Sequence, residues 1–130
     1  MVINSSAVIA ILSNEPDARN FAVAIEAALT RLISAASLLE AAIVIEARYG
    51  LAGGSKLDEL VNTAQINVEP VTPEQITIAR LAFRTYGKGR HPASLNFGDC
   101  FAYALAKFSG EPLLFKGNDF NQTDIQVVII

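Results

Sequence analysis

Cysteine and histidine are almost missing from this 130-residue sequence, which contains one of each. A single cysteine, Cys100, cannot form an intrachain disulfide or a cysteine zinc cluster, so a reducing cytoplasm is the simplest compartment. Charged residues or glycine interrupt every apolar run well short of a membrane span, and the N-terminus lacks the basic-then-apolar pattern of a secretory signal. We therefore expect a cytoplasmic protein with no membrane contact.

Several common catalytic motifs are also missing. There is no Gly-x-x-x-x-Gly-Lys phosphate loop, no Gly-x-Gly-x-x-Gly after the first predicted strand and no Gly-x-Ser-x-Gly nucleophile elbow. The lone His91 lies in a polar loop and is not clearly placed beside Cys100, so we interpret them as a solvated loop residue and a small core residue. A net charge of −3 does not indicate nucleic-acid binding, although clustered metal-binding carboxylates also make a chain acidic.

Apolar residues, in contrast, are plentiful: the chain is 52% hydrophobic and 18% charged. This composition and length predict one globular domain over residues 1–130 with a substantial core. Short apolar or β-branched runs predict strands at 1–3, 31–34, 66–69, 112–115 and 126–130, separated by segments of helical periodicity. Strands that alternate with helices predict an α/β fold with a mostly parallel sheet and helices on both faces.

Serine and proline residues predict where the first helices begin. Ser5 or Ser6 is expected to cap a helix that ends near residue 12, because a serine hydroxyl can accept from the free N–H groups of the first turn. Pro16 fits the first position of the second helix, where its missing N–H costs nothing.

A long helix is predicted after the second strand. Ser37, with Glu40 three residues later, forms the pattern of a capping box. This helix is expected to end near Gly50, with a break at 53–54 and a short helix over 56–64. Glu40 therefore has a structural explanation as well as any functional one.

The segment after Asn96 reads as a helix with an acid in its first turn. Asn96 can cap it, and Asp99 then lies at the third helical position, where a carboxylate favours the positive end of the helix dipole. Helical spacing of the apolar residues predicts one buried face, formed by Phe97, Phe101, Ala104, Leu105 and Phe108.

Four polar residues fall at the predicted carboxyl edge of the sheet, where ligands bind in open parallel sheets. Asn4 and Asp119 follow the first and fourth strands. Glu40 lies one turn into the helix after the second strand, and Asp99 opens the helix that leads into the fourth. Because oxygen ligands of this kind suit Mg²⁺ or Mn²⁺, the pattern indicates metal-assisted hydrolysis of a phosphodiester.

Each of these four residues also has a purely structural interpretation. Asp99 can be a helix cap, Asp119 an ordinary turn residue, and Asn4 a partner for backbone groups at the strand end. Both interpretations stay open at this point. Basic side chains that could contact phosphates electrostatically are Arg84, Arg90 and Lys116.

The ordered set of motifs resembles the PIN-domain ribonucleases, specifically the VapC toxins of type II toxin–antitoxin pairs. The similarity runs nearly end to end, and the Asn-Phe-Gly-Asp-Cys block is its most specific part. It is carried by Met1-Val2-Ile3-Asn4-Ser5-Ser6-Ala7, by Ser34-Ala35-Ala36-Ser37-Leu38-Leu39-Glu40, by the block over 91–100, and by the segments 113–120 and 123–125.

The resemblance implies a three-layer α/β/α sandwich and an endoribonuclease dependent on Mg²⁺ or Mn²⁺. It also implies a homodimer and a VapB-like antitoxin whose C-terminal segment occupies the cleft, with a higher-order complex of the two. Matched by position, Glu40 and Asp99 are metal ligands, and Asp119 is the fourth acid unless Asn118 or Asp124 shares its role. The further matches are Ser6, a hydroxyl that supports the first acid, and Asn96, a polar residue at the active-site edge.

Asn4 is the one departure that matters, because the family carries aspartate there. An amide oxygen can still ligate a hard cation, but it brings no charge and cannot act as a base. The substitution is therefore expected to weaken metal binding and slow hydrolysis. It also favours one alternative, a catalytically inactive PIN-like module that binds antitoxin or RNA. A third alternative is a small α/β protein that binds an acidic ligand and has no role with RNA.

Overall fold

The computed structural model describes all residues from Met1 to Ile130, and the predicted α/β class with a parallel sheet is confirmed. Its sheet has the order β3-β2-β1-β4, and every neighbouring pair is parallel. The strands are β1 (Val2–Ile3), β2 (Leu32–Ser34), β3 (Asn67–Glu69) and β4 (Leu113–Leu114). The helices are α1 (Ser5–Leu12), α2 (Ala18–Ala27), α3 (Ala35–Thr63), α4 (Pro73–Tyr86) and α5 (Phe97–Ser109).

The side chains of successive strand residues contribute to a separate apolar core on each face of the sheet. Val2 and Leu113 belong to the apolar cluster beneath α4 and α5. Ile3 and Leu114 belong to the cluster beneath α1, α2 and α3. Because successive strand residues point to opposite faces, even two-residue strands serve both clusters, and the sheet lies between two helical layers. No helix combines the length and apolarity needed to cross a membrane.

The first two helices begin differently from the prediction. Ser5 and Ser6 are the first two residues of α1 rather than its caps, because their hydroxyls contact side chains at the sheet edge instead of the helix backbone. Pro16 lies in a turn closed by the bond from the Ala18 N–H to the Glu15 carbonyl (2.9 Å), so it precedes α2.

The predicted capping box at the start of α3 is also wrong. Ser34 caps this helix, and its hydroxyl accepts from the Ala36 N–H (3.3 Å). Ser37 is buried inside the helix, where its hydroxyl has no hydrogen-bond partner. Glu40 is therefore not used for capping and can act elsewhere.

A kink at Gly50 divides α3. Its φ of 69° and ψ of −159° lie outside the helical region, and a positive φ of this size favours glycine. The predicted helix end near Gly50 is thus confirmed, but the predicted break at 53–54 is wrong because the chain is helical again there. Gly53 is needed for close packing: a Cβ there would come within 2.8 Å of the Tyr49 Cβ.

The buried face of α5 contains several alanines and none of its phenylalanines. Phe97 is 79% exposed and Phe108 is 51% exposed, whereas residues 102–106 are buried. Three of these five are alanines, which allow the sheet and α4 to approach the helix closely. The apolar residues of α5 therefore recur at the predicted helical spacing, but the residues at both ends of this stripe face outward.

The end of the chain returns to the sheet only briefly. The predicted strand at 126–130 is reduced to a single parallel bridge between Val127 and Leu113. The Leu113 N–H donates to the Gln126 carbonyl and the Val128 N–H donates to the Leu113 carbonyl. Ile130 is exposed beyond this point, so the chain has left the sheet edge.

A hydrogen-bonded cluster ties the C-terminal segment to α5. The Tyr103 hydroxyl donates to Asp124 Oδ1 (2.5 Å), and the Lys107 ammonium donates to Asp124 Oδ2 (2.7 Å). Burial by itself would raise the pKa of Asp124, but the bonds from Lys107 and Tyr103 outweigh it and lower the pKa below its ordinary value.

We expect this cluster to contribute stability that depends on pH. Because the pKa of Asp124 is lower in the folded protein, its contribution is present above about pH 4 and is lost as the pH falls through the folded-state pKa. Urea unfolding of the wild type and of Asp124→Asn at a series of pH values should show a gap at neutral pH that closes in acid. A gap of equal size at every pH would contradict this, and Tyr103→Phe should reproduce part of it.

Candidate active site

Asn4 stands at the end of β1 with its side chain buried at the carboxyl edge of the sheet, only 4% exposed. Its Nδ2 donates to Ser6 Oγ (2.8 Å), which also accepts from the Lys116 backbone N–H (2.9 Å). Ser6 therefore joins the end of β1 to the loop after β4. The Asn4 Oδ1 atom is buried without any hydrogen-bond partner. Because buried polar oxygens are nearly always paired, this atom is a candidate ligand position.

Glu40 reaches the same edge from α3. The Ser5 hydroxyl donates to Glu40 Oε1 (2.5 Å). The other carboxylate oxygen lies against Gly98 in the first turn of α5, so closely that a Cβ on Gly98 would overlap it. The Glu40 carboxylate therefore occupies space that only a glycine leaves open, beside the positive end of the α5 dipole.

Asp99 is held by the predicted capping box at the start of α5. The Asp99 N–H donates to Asn96 Oδ1 (2.9 Å), and the Asn96 N–H donates to Asp99 Oδ2 (3.0 Å). Burial raises the pKa of Asp99 to about 6; the bond from Asn96 opposes this rise, and the negative charges of Asp119 and Glu40 add to it. Asp99 is thus a rigidly placed carboxylate within reach of the charges of two other acids.

The loop after β4 contributes Asp119. This residue is exposed and precedes the 3-10 turn Phe120–Gln122. Its charge acts on Asp99, whereas Asp124 is turned toward Tyr103 and Lys107. The structure therefore gathers Asn4, Glu40 and Asp99 at one edge, with Asp119 at its rim and Asp124 outside.

The donor set at this edge fits a hard divalent cation. Glu40, Asp99 and Asn4 Oδ1 all offer oxygen, which Mg²⁺ and Mn²⁺ prefer. Nowhere in the structure do three Asp, Glu, His or Cys side chains lie close enough together to form a complete metal site by themselves. A Mg²⁺ ion commonly keeps several waters and takes only one or two carboxylates, so a complete cluster is not required, and the orphan amide oxygen supplies a third donor.

The basic residues predicted to contact phosphates have different surroundings. The Lys116 ammonium is paired with Glu15 (2.6 Å) and Asp17 (3.3 Å), and these partners raise its pKa. To contact a phosphate, Lys116 would have to leave them. Arg90 instead lies over the face of Phe83, with its Cζ 5.9 Å from the ring centroid.

Cys100 has the buried position that the sequence predicts, whereas His91 is more than a solvated loop residue. Cys100 is buried and its thiol donates to the Asn96 carbonyl (3.3 Å); burial, with Asp99 nearby, raises its pKa to about 11. Such a thiol is a poor nucleophile at neutral pH. His91 Nδ1 accepts from the Ala93 N–H (3.0 Å), and its ring packs edge-on against Tyr86, so it orders the loop before α5 rather than only facing solvent.

Sequence reasoning missed two residues of this site. From the sequence, Ser5 is only a possible helix cap and Gly98 is only part of a motif. The available signal for Gly98 was a glycine inside the first turn of a helix, where glycine is unfavourable and so demands a reason. No local signal could have paired Ser5 with Glu40, since 35 positions separate them.

We expect Gly98→Ala to damage the site while sparing the fold. The new Cβ displaces the flexible end of Glu40, and loss of this ligand geometry should lower Mn²⁺ affinity by about tenfold or more. Alanine favours the helix, so thermal stability should hold. Gly54→Ala is the matched control, because its Cβ would also approach a glutamate, Glu46, but far from this edge. Equal Mn²⁺ affinities in calorimetry would contradict the assignment.

Comparison with known proteins places this geometry in a family. The model of the PIN domain matches residues 1–126. Ribonuclease VapC30 of Mycobacterium tuberculosis is 56% identical over 130 residues, covering 100% of this chain and 99% of the relative. Ribonuclease VapC of Mycolicibacterium smegmatis is 53% identical over 128 residues, covering 98% and 99%.

Solved structures support the same fold at much lower sequence identity. M. tuberculosis VapC20, described as a toxin that cleaves the sarcin–ricin loop, superposes with a TM-score of 0.80 at 15% identity, covering 98% of this chain and 97% of that one. A toxin–antitoxin complex from Klebsiella pneumoniae gives 0.74 at 16% identity, with 98% and 95% covered. The chain belongs to the PIN-domain family, within its VapC ribonuclease group.

Proposed function

We propose that this chain is the toxin of a type II toxin–antitoxin pair and a Mg²⁺- or Mn²⁺-dependent endoribonuclease that hydrolyses RNA phosphodiester bonds. The observation that carries the proposal is the edge where Glu40 and Asp99 converge beside the unpaired Asn4 oxygen. Full-length identity of 56% to a VapC ribonuclease supports it. The proposal keeps the predicted cytoplasmic location, where cellular RNA is available.

Each residue has a proposed role at this edge. Glu40 and Asp99 would hold the cation as charged ligands, and Asn4 Oδ1 would be a neutral one. A bound divalent cation neutralises charge on the scissile phosphate and assists attack by water. Asp119, at the rim, would add a further carboxylate, and Asn96 would keep Asp99 fixed through the capping box.

Two hydroxyls position the proposed ligands. Ser5 orients Glu40, and Ser6 orients the Asn4 amide. Because Ser6 also accepts from the Lys116 N–H, movement of the loop after β4 would displace Ser6 and with it the Asn4 amide. These bonds are the kind of support that keeps metal ligands in place.

We further propose a VapB-like antitoxin and a second copy of this chain as protein partners. The toxin–antitoxin complex with the same fold supports the first. For the second, Leu39 and Ile43 lie four residues apart on α3 and are each 61% exposed. This exposed apolar pair on one helical face supports a subunit contact there.

The direct test is an RNA cleavage assay with purified protein freed of antitoxin. We expect cleavage of a structured RNA in Mg²⁺ or Mn²⁺ and none with chelator. Cleavage that persists in chelator would contradict the metal-dependent mechanism.

A second candidate function is a binding module without catalysis, which the neutral Asn4 favours. Metal titration separates it from the enzyme. An intact site binds Mn²⁺ and loses it in Glu40→Gln, whereas an inactive module shows the same weak binding in both proteins.

A further inference from the structure

The loop that follows β4 is joined to the acid site through Ser6. The Lys116 backbone N–H donates to Ser6 Oγ (2.9 Å), and the same oxygen accepts from Asn4 Nδ2 (2.8 Å). This arrangement fixes the nitrogen of the Asn4 amide and leaves Oδ1 without a hydrogen-bond partner. The position of Lys116 therefore influences the orientation of the amide whose oxygen is the candidate ligand.

The side chain of Lys116 leads away from this edge to two acids in the turn between α1 and α2. Its Nζ lies 2.6 Å from Glu15 Oε1 and 3.3 Å from Asp17 Oδ1, and all three side chains are only about one-third exposed. No other side-chain cation in the structure has two acidic partners. We call Lys116, Glu15 and Asp17 the Lys116 cluster.

The turn that carries the two acids is held firmly by its own backbone. The Glu15 N–H donates to the Ala10 carbonyl (3.0 Å). The Asn14 N–H donates to the Ile11 carbonyl (3.2 Å), and Asn14 has the positive φ, 51°, of a Schellman helix end. Pro16 further restricts the backbone of the residue before it. Glu15 is therefore a fixed anchor for the Lys116 side chain.

The other end of the loop after β4 is anchored in the core. Phe120 is 2% exposed, and its ring contacts that of Phe115 with centroids 5.0 Å apart. Between these rings, Gly117 has a φ of 108°, a conformation that favours glycine. Asp119 lies between Lys116 and the buried Phe120, so both anchors determine where its carboxylate stands.

We propose that Lys116 is a positioning residue of the acid site. By pairing with Glu15 and Asp17, its side chain holds the loop after β4 in place. The loop then keeps Asn4 Oδ1 and Asp119 where a cation can meet them. The inference rests on the proposed metal-dependent function and adds the residues that position its ligands.

The competing role for Lys116 is direct contact with an RNA phosphate. In that role the ammonium has to leave two carboxylates that already lie within hydrogen-bonding distance. A phosphodiester group offers one negative charge in exchange for two, so the exchange has no electrostatic advantage. The contacts in the structure therefore favour the positioning role.

Lys116→Met separates the two roles, because it removes the charge but keeps the backbone N–H and an apolar stem. In chelator, we expect hydrogen exchange of the backbone amide at position 116 to accelerate about fivefold, the upper range for a partly exposed ion pair. The NMR signals of the Asn4 side-chain amide should shift in the same variant, because its partner Ser6 is displaced.

Mn²⁺ affinity gives a second readout whose direction is diagnostic. Calorimetric titration with MnCl₂ should show affinity about fivefold weaker in Lys116→Met, because the ligands are less well placed. Charge by itself would act in the opposite direction, since removal of a nearby positive charge strengthens cation binding. Unchanged or stronger Mn²⁺ binding in this variant would overturn the inference.

Two further variants serve as controls. Lys116→Arg keeps the charge and can pair with both acids, so amide exchange and Mn²⁺ affinity should stay within about twofold of the wild type. Lys107→Met makes the same substitution in a lysine that is paired with Asp124 (2.7 Å) and is 43% exposed. It should leave both readouts at their wild-type values, and an effect equal to that of Lys116→Met would overturn the inference.

RNA binding in chelator tests the competing role. If Lys116→Met weakens binding of a labelled RNA while amide exchange and Mn²⁺ affinity stay unchanged, Lys116 is a phosphate contact and the positioning role is wrong. Glu15→Gln with Asp17→Asn frees the ammonium, so a phosphate contact would then bind RNA more tightly. The positioning role instead predicts faster exchange of the Lys116 amide in this double variant.

The positioning role and the nuclease can fail separately. If Lys116→Met accelerates amide exchange and weakens Mn²⁺ binding but the wild type cleaves no RNA, the positioning role stands and the proposed catalysis fails. If the wild type cleaves RNA with Mn²⁺ but exchange and affinity are the same in both proteins, the catalysis stands and the positioning role fails.

Discussion

Asp99→Asn should abolish Mn²⁺ binding and reduce RNA cleavage by about a hundredfold or more. Residues that merely support metal ligands already contribute about 10- to 100-fold in metal affinity or activity, and Asp99 is proposed as a ligand itself. Calorimetric titration with Mn²⁺ gives the first readout, and cleavage of a labelled RNA gives the second. Retained Mn²⁺ affinity in this variant would remove Asp99 from the site.

The same substitution should leave the fold intact. An asparagine oxygen can still accept from the Asn96 N–H, so the capping box persists. In chelator at neutral pH the variant should be as stable as the wild type or more so, because the raised pKa of Asp99 means that its ionised form opposes folding. Asp58→Asn, at an exposed position of α3, removes the same charge far from the edge and should change neither readout.

Asn4→Asp should have the second-largest effect, in the opposite direction. Added ligand charge strengthens binding of hard cations, so Mn²⁺ affinity and cleavage should each rise by about tenfold or more. The hydrogen bond to Ser6 can survive, since the serine hydroxyl can donate to a carboxylate where it now accepts from the amide. Failure of both quantities to rise would show that Asn4 is not a ligand.

Stability supplies a readout for Asn4→Asp that does not depend on catalysis. The new carboxylate is buried, so thermal stability in chelator should fall, and saturating Mn²⁺ should restore it. Asn62→Asp makes the same chemical change at an exposed position in the last turn of α3, and Mn²⁺ should not restore any stability that it loses there. A variant equally stable with and without Mn²⁺ would indicate that no cation occupies this edge.

Local sequence signals predicted those parts of the site that depend on near neighbours. Asn96 and Asp99 are three residues apart, and their reciprocal bonds follow from helix geometry alone. The same kind of signal gave a wrong prediction at Ser37. The capping-box pattern does not take into account the preceding residues, where Ser34 already caps α3.

Amphipathic spacing had a similar limit on α5. It identified one apolar face of the helix but not that Phe97 and Phe108, at the two ends of this face, are exposed. The buried side of α5 contains alanines, because their small side chains let the backbones of the helix and the sheet approach closely. Counting apolar residues along the sequence does not take this packing into account.

The sequence by itself determined the alternation of strands and helices, the order of the acids along the chain and the substitution at Asn4. These depend on composition, periodicity and contacts within one turn. Only the tertiary structure decided that Ser5 would hold Glu40, that Gly98 would make room for its carboxylate and that the Asn4 oxygen would be left unpaired. Those contacts join residues far apart in sequence, so they exist only once both helical layers have packed on the sheet.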